Sequence, residues 1–391
     1  MKIGVVGGKL QGVEIVYLAK KAGFETLLID RVPDPPACGL CDRFVHADCG
    51  EESQSRKHLE NCDMILPAFE NREDLAFLDR ICRESRVPFA FDGNAYGFAH
   101  SKRLSDRLFA DLALARPAQW PECEFPVLIK PDCGSGSEGV ELLESPDDIE
   151  RRFPNRFPPA DSIAQQFLAG PSYSIEVIGA QGRYRTFPIT KLEMDEAFDC
   201  KRVTAPAAVS AGREREFETL ARKIANALRL KGIMDVEAIL HNDKLKVLEI
   251  DARFPSQTPI AVYASSGINM VRELFGLFKT GKLLDSPDAG KCRHAIVEHV
   301  KVSRNTIRCE GEHIMGENGP LRSEKRFFGA DEALTNYREG GREWVATLIL
   351  TGNTACEAAA KRDKVAKTIA ERFGLARIEE SDRAEIGKGP P

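Results

Sequence analysis

Gly232-Ile233-Met234-Asp235-Val236-Glu237-Ala238-Ile239-Leu240 and Lys244-Leu245-Lys246-Val247-Leu248-Glu249-Ile250-Asp251 are two apolar runs joined by Asn242-Asp243, with Ala252-Arg253 following. β-Branched and aliphatic residues around an Asn-Asp pair predict a β-hairpin. Strand side chains alternate faces, so Asp235 shares a face with Glu237, and Glu249 with Asp251. With His241 opposite Leu245, Glu237 faces Glu249 and Asp235 faces Asp251. Facing carboxylates repel and need a counter-charge. Such a set of hard oxygens suits Mg²⁺ bridging nucleotide phosphates. An acidic hairpin paired with surface lysines is the plainer alternative, but the apolar remainder argues for burial on at least one side. Arg253 can reach the same face, where a guanidinium suits a transferred phosphoryl group. The following Phe254-Pro255-Ser256-Gln257-Thr258-Pro259 is too proline-rich to extend the strand. It is expected to be a polar loop meeting a substrate.

Working outward towards the N-terminus, Val127-Leu128-Ile129-Lys130-Pro131 puts a lysine at a strand end. Asp132-Cys133-Gly134-Ser135-Gly136-Ser137-Glu138-Gly139 follows at once. A lysine beside a glycine- and serine-rich loop forms a phosphate grip, with Lys130 as the point charge and Ser135, Gly136 and Ser137 as loop donors. Lys102, at the start of an amphipathic helix over 101–115, is a solvated surface charge taken alone and a second phosphate ligand in the light of Lys130.

The first ninety or so residues alternate strand and helix, which predicts βαβ units and a parallel sheet. Strands are expected at Lys2–Val6, Thr26–Asp30, Phe44–Ala47, Met64–Pro67 and Pro88–Phe91, with helices over Gln11–Ala22, Ser53–Glu60 and Asn71–Ser85. Gly4, Gly7, Gly8 and Gly12 between strand and helix resemble a dinucleotide fingerprint, or simply form a tight βα turn. Cys38-Gly39-Leu40-Cys41 with His46 and Cys49 is either a small metal or redox cluster or a proline-rich loop before a short strand.

The chain has 391 residues, enough for two to three domains of about 100–200 residues. With 42% hydrophobic and 29% charged residues and a net charge of −5, it matches a globular protein without the basic footprint of a nucleic-acid binder. No apolar run is long enough for a membrane span. The 11 scattered cysteines fit a reducing, cytoplasmic setting.

Together these motifs resemble the ATP-grasp superfamily: a βαβ region, a lysine at a helix start, a lysine with a glycine-rich loop, a hinge at Gln165-Gln166-Phe167-Leu168, then Glu237…Glu249-Ile250-Asp251-Ala252-Arg253. Asp251 stands where many members carry asparagine. Gly7–Gly12, Lys231–Ala238 and Glu249–Pro259 further resemble the ligases of pyrrolysine biosynthesis. The resemblance, which covers about residues 1–290, implies an α/β ATP-grasp fold with a pre-grasp domain over 1–98 and an ATP-grasp region over 99–285. Several short strands and a long helix over Cys356–Phe373 predict an α+β extension over 286–378, and the polar stretch 379–391, ending in Pro-Pro, is expected to be a disordered tail. The resemblance implies ATP and Mg²⁺ as cofactors and small amino acids as substrates, with no nucleic-acid or membrane partner, and is compatible with a homodimer. It also implies an acyl-phosphate route from the carboxylate of 3-methyl-D-ornithine to the ε-amine of L-lysine. Carried over by residue, Lys102 and Lys130 hold phosphates, the backbone of Gln166, Phe167 and Leu168 holds adenine, and Glu237, Glu249 and Asp251 hold Mg²⁺. Leu10, Gln11, Glu70 and Asn71 line a lysine site. Ser174, Glu176, Asp199, Asp235, Ser256, Gln257 and Thr258 face the ornithine moiety, with Arg253 and Glu176 in the chemistry.

Gly170-Pro171-Ser172-Tyr173 lacks the acid that holds ribose in related ligases, and Ser172 is the nearest replacement. Glu193, Asp195, Glu196 and Asp199 form an acidic run that either attracts a diamine or is a solvated loop. Other readings are an ATP-grasp ligase for another amino-acid pair, a nucleotide-binding oxidoreductase, which has no use for the paired carboxylates, and a non-catalytic nucleotide sensor.

Overall fold

Four short strands open the computed structural model, in the order Arg43–His46, Glu25–Asp30, Lys2–Val6, Met64–Pro67. All pair in parallel. Ile3, Val5, Leu28, Ile29, Ile65 and Leu66 are buried because helices cover both faces. The structure describes residues 1–134, 136–284 and 292–381, with only the backbone of 52–54. Ser135, the side chain of Ser53, the boundary at 285/286 and residues 382–391 of the expected tail lie outside the described residues.

The helix Leu10–Lys21 buries every residue from Gln11 to Ala19 between this sheet and the rest of the molecule. The helix Arg72–Ser85 is capped by Asn71, whose side chain accepts from the amides of Glu73 and Asp74. Pro88–Phe91 does not form the expected strand. It makes a single parallel bridge, Ile65 to Phe89, because the chain leaves at once for the helix Gly93–Ala99.

Two antiparallel sheets follow. The smaller has the order Glu141–Leu143, Val127–Pro131, Ser162–Gln166. The larger holds twelve of the described strands. Its spine runs Lys244–Asp251, Gly232–His241, Ser172–Ala180, Thr190–Met194, Cys200–Ala205, His294–Val302, Trp344–Gly352, Glu332–Thr335, Arg322–Lys325. The helix Ala211–Leu228 packs on it through Phe217, Leu220, Ala221, Ile224, Ala225 and Leu228, one stripe at helical spacing. Ser210 caps its start and the left-handed Arg229 ends it.

The C-terminal α+β part continues the same sheet, since His294–Val302 pairs with Cys200–Ala205. The tail was expected to be disordered from residue 379, and this is corrected for its first residues. Arg377–Glu380 is a strand parallel to Thr306–Cys309. A charged knot fixes it: Arg202 and Arg362 both bond Glu298 and Glu380, and buried Lys201 donates to the Ser381 carbonyl at 2.9 Å. The arginines hold the Glu298 carboxyl down to about 2 against the opposing effect of burial. The acidic run is not a solvated loop either. It spans the turn between Thr190–Met194 and Cys200–Ala205, and Asp195 and Asp199 are buried, accepting backbone N–H groups.

Candidate active site

The carboxylate hairpin turns on Asn242 and Asp243, both at positive φ (49° and 57°), which is the two-residue turn that matches strand twist. The turn is tighter than expected: His241 pairs with Lys244 and Leu240 with Leu245. A bulge at Leu248 absorbs the one-residue difference, so Glu237 still faces Glu249 and Asp235 faces Asp251. The strand Ser172–Ala180 extends both rows, placing Ser174 beside Glu237 and Glu176 beside Asp235. Carboxylates therefore stand side by side across three strands.

Burial of these acids, reinforced by their neighbours, dominates the electrostatics. Burial first, then Glu249 and Asp251, push the Glu237 carboxyl up to about 8. Burial also raises Asp251 to about 7, even against the opposing charge of Arg253. Asp235 is raised in the same sense, by burial and then by Asp251. Carboxyls that resist ionisation until a cation arrives are a donor set fitted to a divalent ion, and their hard oxygens suit Mg²⁺.

Two lysines close the opposite side. Ser101 caps the helix Lys102–Asp111, and Asp132 accepts from both the Ser101 hydroxyl (3.0 Å) and the Arg103 amide (2.9 Å). Asp132 thereby ties that helix start to the strand carrying Lys130. Lys102 Nζ lies 3.1 Å from Glu249 Oε1 and donates to the Gly134 carbonyl at 2.7 Å. Burial lowers the Lys130 ammonium, partly offset by Glu249. The glycine-rich loop passes over the cleft through positive φ at Gly134, Gly136, Ser137 and Gly139, and the Ser137 hydroxyl donates to the Phe198 carbonyl at 2.7 Å. Gln166, Phe167 and Leu168 line the same cleft, with Phe198 edge-on to Phe167. Ser172 also lines it, its buried hydroxyl without a partner.

The cleft is continuous, about 1320 Å³, and reaches from this half to the C-terminal edge of the parallel sheet. Arg253, 9% exposed, bridges the halves: Nη2 meets Asp251 Oδ2 at 3.0 Å and Nε lies 2.9 Å from Glu70 Oε1. Gln11 Nε2 donates to the same Glu70 oxygen at 3.2 Å. Leu10, Gln11, Glu70, Asn71, Asp199, Asp235, Ser256, Gln257 and Thr258 all line the cleft. Asn71 spends its side-chain oxygen on the helix cap.

Ser174 and Glu176 do not line it. Both are fully buried, and the Thr258 hydroxyl donates to Glu176 from the cleft side. Burial lifts the Glu176 carboxyl to about 7, against the hydrogen bond from Thr258. Two further acids belong here without having been singled out. Glu14 accepts the Ile260 amide at 3.0 Å and so fastens the first helix to the start of the helix Pro259–Ser266, which follows the polar loop. An acid inside the apolar run Val13–Ala19 was a readable signal. Glu312 accepts from Ser256 Oγ (3.0 Å) and Gln257 Nε2 (2.9 Å). More than fifty residues separate these partners, and nothing local marks Glu312.

A strand-end lysine, a glycine-rich loop and an acidic hairpin facing one cleft define an ATP-dependent ligase, and residues 99–257 match the ATP-grasp domain model. The chain belongs to the ATP-grasp family. It is 34% identical to the 3-methyl-D-ornithine–L-lysine ligase of Methanosarcina mazei over 96% of this chain and 97% of that one. Its fold matches the ADP complex of an N5-carboxyaminoimidazole ribonucleotide synthetase (TM-score 0.69, 14% identity, 95% of this chain and 97% of that one). It also matches the biotin carboxylase domain of the Hydrogenobacter thermophilus 2-oxoglutarate carboxylase, solved with MgADP (TM-score 0.67, 14% identity, 90% and 86%). Among the described residues no helix is long and apolar enough to cross a membrane.

Proposed function

We propose that the protein joins the carboxylate of 3-methyl-D-ornithine to the ε-amine of L-lysine in pyrrolysine biosynthesis, in the cytoplasm, using ATP. The observation that carries this reading is one cleft with two differently built ends, bridged by Arg253 between Asp251 and Glu70. One end suits a triphosphate and a divalent cation. The other is lined by buried acids and amides suited to amino-acid substrates. The 34% identity to a ligase of that name supports the substrate pair.

In this reading Lys102 and Lys130 grip the phosphates, and the hinge backbone at Gln166–Leu168 holds adenine. Glu237, Glu249 and Asp251 would hold Mg²⁺, which when bound neutralises the phosphate charge. A substrate carboxylate oxygen attacks the γ-phosphorus and ADP leaves. The amine nitrogen then attacks the acyl carbon and phosphate leaves. Arg253 stabilises the charge that builds on the reacting oxygens. The incoming lysine amine, with an ordinary pKa of about 10.4, must shed a proton. Asp199, on the cleft wall and bonded through Oδ2 to the ring of His313 at 2.6 Å, forms with it the pair proposed to take the proton, whereas Glu176 sits behind Thr258 and positions that hydroxyl. The loop over Gly134–Gly139 shields the acyl-phosphate from water.

The test is ADP release with ATP, Mg²⁺, L-lysine and 3-methyl-D-ornithine or D-ornithine, with mass spectrometry of the product. The expected outcome is ADP formation that needs both amino acids and an amide at the ε-nitrogen. ADP release with a different pair alone overturns the substrate assignment.

A further inference from the structure

One wall of the cleft carries two buried acids, each with an oxygen that has no hydrogen-bond partner. Glu312, 4% exposed, stands at the start of the short helix His313–Gly316 that follows the strand Thr306–Cys309, and lines the cleft with Ser256, Gln257 and Asp199. Its Oε1 accepts two hydrogen bonds, from Ser256 and Gln257, while its buried Oε2 has no partner. Asp235, 6% exposed, lines the same cleft with Oδ1 equally unpartnered. Asp199 is the charge that acts most on Glu312, and Glu14 and Cys200 feel Glu312 in turn. The nearby guanidinium of Arg253 is engaged by Asp251 and Glu70. Lys201, also on the cleft wall, donates to Ser381. A buried acid with an idle oxygen costs free energy unless a ligand completes it.

We propose that Glu312, with Asp235, is the receptor for the side-chain ammonium of the carboxylate-donating diamino acid, and so sets its specificity. This rests on the function proposed above and names the group that selects its first substrate. The hairpin and the lysines fix where the reacting carboxylate lies. Glu312 and Asp235 line the same cleft as the hairpin and the lysines, so a short diamino acid with its carboxylate at the phosphate can offer its far ammonium to their idle oxygens. Ser256 and Gln257 hold the carboxylate in place and need not touch the ligand. The C-terminal region thereby acquires a role in recognition.

Calorimetric binding of D-ornithine and of D-norvaline, which lacks only the distal amine, tests this on the full-length protein with an ATP analogue and Mg²⁺. Wild type is expected to bind D-ornithine about 10- to 100-fold more tightly, the range for a charge-assisted hydrogen bond. Glu312→Gln should abolish most of that preference while binding D-norvaline as wild type does, which also reports an intact pocket. Glu312→Asp should restore part of it. Equal binding of the two ligands by wild type overturns the inference without needing any variant, as does a preference that survives Glu312→Gln. A preference lost in Glu312→Gln, in a protein that releases no ADP with these amino acids, leaves the receptor standing and removes the proposed reaction instead.

Discussion

The two ends of the cleft are built in opposite ways. The phosphate end is assembled from short segments: a hairpin, a strand end with its loop, and a helix start. Its key residues are neighbours in sequence or are fixed by strand register. The amino-acid end is assembled from distant ones: Gln11 with Glu70, Glu70 with Arg253, Glu14 with Ile260, Ser256 with Glu312. The difference teaches that general chemistry can be carried by local spacing, while substrate choice is carried by how the domains are folded together.

If that division holds, damage at the phosphate end should strike turnover whatever amino acid is offered. Glu249→Gln removes a charge that faces both Glu237 and Lys102. It should lower kcat on the order of 10²–10³-fold, as when one preorganised charge is lost, with little change in amino-acid KM. Steady-state ADP release checks this. A nucleotide sensor would keep its function.

The contrast also explains what was legible beforehand. Facing carboxylates follow from alternation along two strands, and they survived a wrong assumption about the turn because the Leu248 bulge compensated for it. The parallel sheet, Lys102 and Lys130 were equally readable. Glu312 was not, because its meaning comes only from a sheet that brings residue 312 beside residue 256. Glu176 came from the family resemblance alone, which names a residue of the site and not the Thr258 hydroxyl that covers it.

A milder blow at the other end should leave turnover alone. Gln11→Ala removes the amide that orients Glu70 beside Arg253. It should raise KM for the amine substrate about tenfold, the worth of one good hydrogen bond, with kcat within about threefold. A fall in kcat without a KM change would show that the two ends are not separable.

The smallest effect expected is on stability against pH. Glu237 and Glu312 sit near 8, and Glu176 and Asp251 near 7, all above their ordinary 4.5 or 3.8. Acids raised on folding favour the fold most fully below their unfolded values, and the contribution is lost as pH rises through the folded ones. The ligand-free protein should therefore lose melting temperature as pH rises from about 5 to about 8 and level off above that. Adding Mg²⁺ with an ATP analogue should flatten that slope.

The central claim is that the buried hairpin holds a divalent ion against the triphosphate between Lys102 and Lys130. A crystal grown with Mn²⁺ and a non-hydrolysable ATP analogue, read by anomalous scattering, tests it most directly. The account predicts metal peaks bound by Glu237 and Glu249, with phosphate oxygens within reach of both lysines. A triphosphate seated elsewhere, with no metal on the hairpin, would contradict it.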